Sequence, residues 1–154
     1  MLVRGHVTGV AVMSLAWCIL LAGCANNRLE REFFFKEPAA TRMDRLRQYS
    51  LSDQYRIYRY GNDRFEPPLT GLAKPIAERE QTAVPFLMEQ LNIHADDITV
   101  RDVLSVFEAM RSIRSYDVKS DARVMDTLRS RVSAVKDPAW KSVCSKMLAR
   151  IGSN

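Results

Sequence analysis

From residue 38 onward, apolar side chains recur at intervals of three and four, which predicts a succession of amphipathic helices. Met43, Leu46 and Tyr49 form a first short stripe, opened by Thr41 with Asp44 as a loose capping pair. Ser50 or Ser52 caps a second helix, in which Tyr55, Ile57 and Tyr58 face inward and Gly61-Asn62 marks the end. After the turn-rich stretch through Pro67-Pro68, Leu69, Leu72, Ala73 and Ile76 share a face, and Pro75 is predicted to kink the segment. Thr82 is the expected cap of Ala83 to Leu91, with Pro85 in the first turn and Val84, Leu87, Met88 and Leu91 buried.

The next element is the longest. Thr99 with Asp102 reads as a capping box, and Val100, Val103, Leu104, Phe107, Met110 and Ile113 take core positions. Asp121 starts a helix with Val124, Met125, Leu128, Val132 and Val135 on one side. Asp137 caps a final helix that has Pro138 at its first position, Gly152 past its end, and Trp140, Val143, Cys144, Met147, Leu148 and Ile151 along one stripe. No stretch beyond Pro38 shows sustained alternation bounded by turns, so the predicted fold is all-α.

The segment from Ile76 to Leu91, IAEREQTAVPFLMEQL, resembles a HEAT repeat junction: an alanine-containing helix end, a short turn, then an Ala-x-Pro-x-Leu second helix. The likeness covers Leu69 to His94. The later pair of helices can be laid over it with Val84 on Val124 and Leu91 on Val132, offsets of 40 and 41 residues within the HEAT range of about 40–47. The resemblance implies stacked hairpins in a short array; a small orthogonal bundle is the alternative.

Ahead of this body the pattern changes. Residues 1–23 have a positive start at Arg4, an apolar run from Val7 to Ala22 and small residues at the end, the layout of a cleaved secretory signal. The run is broken by Thr8, Gly9 and Ser14 and is shorter than the roughly 20 apolar residues that cross a bilayer comfortably. Leu21-Ala22-Gly23-Cys24 resembles the lipobox of bacterial lipoproteins, with leucine at minus three and small residues at minus two and minus one before the cysteine. What the resemblance implies is a diacylglyceryl group on the Cys24 sulfur, cleavage before Cys24, and acylation of the new amino terminus. Cleavage near Ala22 or Ala25 as an ordinary signal, or an uncleaved anchor, are the competing readings. Because Ala25 and Asn26, and not aspartate, follow the cysteine, the resemblance favours the periplasmic face of an outer membrane.

The expected organisation is therefore a signal over 1–23, a lipidated tether over 24–37 and a helical domain over 38–154. Phe33, Phe34 and Phe35 sit awkwardly in a tether, since three consecutive rings cannot share one helix face; they either pack under the domain or meet lipid, where aromatic rings are at home. Removal of residues 1–23 leaves 131 residues, enough for one core. The mature chain has 22 Lys and Arg against 18 Asp and Glu, a balance of +4. After export such a charge meets lipid head groups, wall polymers or acidic proteins and not nucleic acid. With Cys18 lost and Cys24 acylated, Cys144 is left alone and placed in an apolar stripe, where a thiol stays protonated.

Candidate chemistry is sparse. His94, Asp96 and Asp97 form a cluster with metal-ligand residue types, but no second histidine remains to complete a zinc site, and the aspartates fit better as charges at a helix start. No nucleophile elbow, phosphate-cradling loop or paired cysteines are present, so no cofactor or metal is implied. The pair Glu78 and Glu80, or Glu89, has the residue type of a glycoside hydrolase. Arg111, Arg114, Arg129 and Arg131 are expected to gather across two helices as a basic surface for an acidic envelope protein. The function expected is that of a non-catalytic, lipid-anchored interaction module of the cell envelope, with a cell-wall hydrolase or its accessory as the alternative.

Overall fold

The computed structural model describes residues 27–94 and 96–153, and over them the chain is all-α. The helices are α1 Arg28–Lys36, α2 Arg42–Arg47, α3 Leu51–Arg64, α4 Ala73–Ala77, α5 Val84–Ile93, α6 Asp97–Ile113, α7 Ala122–Ser133 and α8 Pro138–Gly152. Three short 3-10 turns, Thr70–Leu72, Glu80–Ala83 and Val118–Ser120, lead into α4, α5 and α7. The signal segment and Cys24 lie outside the described residues, and no described helix is long and apolar enough to cross a membrane.

Helix α6 is the axis of the fold. Every residue from Thr99 to Phe107 is buried, so this helix has no wet side along more than two turns. It packs along α8 on one side and α4 on another, while α5 also rests on α6 and α7 on α8. Helices α4, α6 and α8 thus lie side by side in chain order. On the amino-terminal side α1 packs on α3, and α3 on α4.

Local signals set most helix starts. Ser50 accepts from the Asp53 amide at 3.2 Å and donates to its carboxylate at 2.8 Å. Asp121 accepts from Val124 N at 3.1 Å, and Asp137 from the amides of Ala139 and Trp140 at 2.8 and 3.0 Å. Pro138 opens α8 as expected, while Gly152 is its last residue and not the one beyond. Pro75 is the third residue of α4, where its missing N–H would have had no intrahelical partner.

Other expectations need correction. Thr41 and Thr82 do not cap: their hydroxyls donate backward to the carbonyls of Pro38 and Arg79, so each closes a turn before its helix. Helix α3 runs through Gly61-Asn62 to Arg64, because Gly61 is needed for close packing and not for a stop. Ile113 and Val143, expected in the core, point outward at 37% and 41% exposure. The expected tether is helical from Arg28, and its rings divide: Phe33 and Phe34 enter the core against α3, while Phe35 is 70% exposed.

Candidate functional site

A polar recess with buried, unpartnered groups in its wall lies between α1, α3 and the α5–α6 junction. It encloses about 500 Å³ and is lined by Glu30, Tyr55, Arg59, Tyr60, Arg64 and His94, among others. Glu30 shares the inward face of α1 with Phe33 and Phe34, three and four residues on, which is why a carboxylate is carried inside. Its Oε1 is 2.9 Å from Arg56 Nη2, and its Oε2 has no hydrogen-bond partner among the described residues. The hydroxyl of Tyr55, on α3, is likewise buried with no hydrogen-bond partner within bonding geometry among the described residues. Burial pushes this phenol up to about 12, against the pull of the Arg59 guanidinium. Buried polar atoms are normally bonded, so two such atoms in one wall single the recess out.

Behind it is an ion network centred on the fully buried Asp102. Asp102 accepts from Arg101 at 2.9 Å (Nε) and 2.6 Å (Nη2) and from Asn62 Nδ2 at 3.0 Å, all on Oδ1. Its Oδ2 faces Arg59 Nε at 3.5 Å. Arg59 also donates to Thr99 Oγ1 at 2.5 Å, so one guanidinium joins the recess to the network. The Tyr58 hydroxyl donates to the Asp102 carbonyl at 3.0 Å, and Arg101 stacks over Trp140, 4.9 Å from the ring centre. The network therefore ties α3, α6 and α8 together. Burial raises the Asp102 carboxyl above the usual carboxylate value even though Arg101 lowers it. Burial also pushes the Tyr58 phenol far up.

This cluster was misplaced by sequence reasoning. The cap of α6 is Asp96, which accepts from Thr99 N at 2.8 Å and from Thr99 Oγ1 at 2.7 Å; Asp102 is interior. The apolar residues Val100, Val103, Leu104, Val106 and Phe107 fall on one side of the helix and leave positions 101 and 102 on the other, so the helical pattern itself carries no signal of their burial.

The remaining candidates scatter. His94 lines the recess, Asp96 caps α6, and Asp97 accepts from the amides of Lys136 and Asp137 at 3.2 and 2.9 Å, fastening the α7–α8 loop to the start of α6. Among the described residues no group of three or more His, Cys, Asp and Glu side chains is placed to hold a metal ion. Glu78 is clamped by Arg47, whose Nε and Nη2 reach its two oxygens at 2.7 and 3.0 Å. That double hydrogen bond holds the carboxyl below its ordinary value, so Glu78 has the wrong protonation tendency for a general acid. Glu80 and Glu89 are exposed.

The four arginines do not form one surface. Arg111 and Arg114 line a recess of about 290 Å³ with Lys119, whereas Arg129 pairs with Asp126 at 2.8 Å and Arg131 with Asn92 at 3.0 Å. Cys144 is buried in the α8 stripe, and burial pushes its thiol up. Comparison with protein-family models, with curated proteins and with solved structures finds no match to this chain.

Proposed function

We propose that this protein is a lipoprotein of the cell envelope, held by acyl chains on Cys24, whose helical body works as a non-catalytic protein-interaction module. The observation that carries the reading is the position of Leu21-Ala22-Gly23-Cys24 at the end of an apolar run, four residues ahead of a helix already packed on the domain. Two or three acyl chains supply the multiple hydrophobic signals that stable attachment requires, at about 0.8 kcal/mol per buried methylene. Ala25 and Asn26 after the cysteine favour the outer membrane, facing the periplasm.

The interaction face with the clearest chemistry is the recess at the carboxyl end of α6, where Arg111, Arg114 and Lys119 favour an acidic protein partner. Intact-mass measurement of protein purified from membranes, beside Cys24→Ser, tests the anchor. The mature chain should start at Cys24 and carry fatty acid, and the substituted protein should leave the membrane fraction. A mature chain without acyl groups, or unchanged fractionation of Cys24→Ser, refutes it. For the module, crosslinking from intact cells should return an envelope partner that is lost with Arg114→Glu.

A further inference from the structure

We infer that the outward face of α1 lies on the lipid surface, with the Phe35 ring among the acyl-chain ends of the head groups and Arg28, Arg31 and Lys36 against anionic phospholipid. This rests on the lipid attachment proposed above and adds an orientation to it. Helix α1 is two-sided. Glu30, Phe33 and Phe34 face α3, whereas Arg28, Arg31 and Phe35, spaced three, four and seven apart, form a second stripe on the other side. Arg28 and Lys36 are 83% and 72% exposed along their side chains, and Phe35, at 70%, is the most exposed large hydrophobic side chain among the described residues.

The charge on this face fits lipid. Arg28 and Lys36 both reach Glu32 at 3.1 Å, and with Arg31 the stripe keeps a surplus of two positive charges. Basic residues beside one apolar ring are the composition of helices that lie in an anionic interface.

The leash keeps this face within reach of the membrane. Four residue steps separate Cys24 from Arg28, at most about 14 Å of extended chain. Phe35 is seven residues farther along a helix that rises about 1.5 Å per residue, so its backbone stays within about 25 Å of the acylated sulfur. Since α1 is fixed to α3 by Phe33 and Phe34, the body cannot swing away without carrying the stripe with it.

The test uses acylated protein purified from membranes and placed in vesicles of phosphatidylethanolamine and phosphatidylglycerol, with ordinary or brominated acyl chains. Cleavage before Cys24 removes Trp17, so emission of the mature protein comes from Trp140 on α8 and should be unchanged by bromine; Phe35→Trp adds a second fluorophore on the stripe. Its added emission should fall at least twofold in brominated vesicles, and Arg31→Glu in the same background should halve that quenching. Acylated protein whose added emission is unquenched, or in which Trp140 is quenched equally, overturns the orientation while leaving the anchor standing. Absence of acyl chains in the intact mass overturns both, so the two failures are told apart.

Discussion

Gly61→Ala offers a direct test of how firmly α1 is held to the domain. Gly61 is inside α3, where alanine is the better helix former by about 1 kcal/mol, so local propensity alone predicts a gain. In the folded protein a Cβ at this position would lie 2.8 Å from Phe34 Cζ and 3.1 Å from Leu72 Cδ1. The leucine methyl ends a flexible side chain and can turn aside. Phe34 cannot: its ring stands edge-on to Phe33 at 5.1 Å, stacks on Tyr60 at 5.7 Å and meets Phe65 at 4.9 Å. Overpacking of this kind costs about 1–3 kcal/mol, which outweighs the propensity gain and leaves a net loss of about 1 kcal/mol.

Phe34→Ala alone removes a nearly buried ring and should cost about 3 kcal/mol. In that background the clash has gone, so Gly61→Ala should now stabilise by about 0.5–1 kcal/mol. The four proteins, each carrying Cys24→Ser, would be unfolded in urea and followed by far-UV circular dichroism, with the coupling read from the double-mutant cycle. A reversal of sign between backgrounds is the expected result. If Gly61→Ala has the same sign with and without the ring, α1 is not docked through Phe34 as described.

Four further outcomes follow from the same geometry. Arg114 ends α6 with φ 57°, a left-handed conformation that costs a non-glycine residue about 1 kcal/mol; Arg114→Gly should raise stability by about that amount in urea unfolding, and a loss would contradict it. Asp96→Ala removes the true cap of α6 and should cost about 1 kcal/mol, seen as a lower thermal midpoint; no change would return the cap to Thr99. Cys144 should react with a thiol reagent at pH 8 only as fast as the protein unfolds, and immediate labelling of native protein would show that the α8 stripe is not closed. The Tyr116 hydroxyl, 2.6 Å from Asp121, holds that carboxyl below its ordinary value; a lowered folded value adds stability above the unfolded carboxylate range that is lost as pH falls through the folded one. Tyr116→Phe should therefore raise the Asp121 midpoint in an NMR titration and shrink that acid loss.

Seven of the eight described helices, with their register, were legible in the chain itself because the causes are short-ranged; α1, expected as a tether, was not. Asp121 and Asp137 satisfy amides two or three residues away, and the apolar stripes of α7 and α8 declare their inner faces within two turns. The same short range misled at Thr41 and Thr82, where a hydroxyl had a second acceptor within reach behind it and took that one. For the polar recess almost nothing was legible: Glu30, Tyr55 and Arg59 come from two helices, and only the docking of α1 on α3 brings the first beside the others.

The sequence by itself determined an all-α body and, in Leu21-Ala22-Gly23-Cys24, the motif on which the anchoring proposal stands. Only the tertiary structure decided which polar residues are interior. Asp102 has the spacing of a capping partner, yet every residue of α6 from Thr99 to Phe107 is buried, leaving no wet face onto which it could turn. Its charge is met by Arg101, Arg59 and Asn62, partners up to 43 residues away, and a contact of that range exists only once the helices have been brought together.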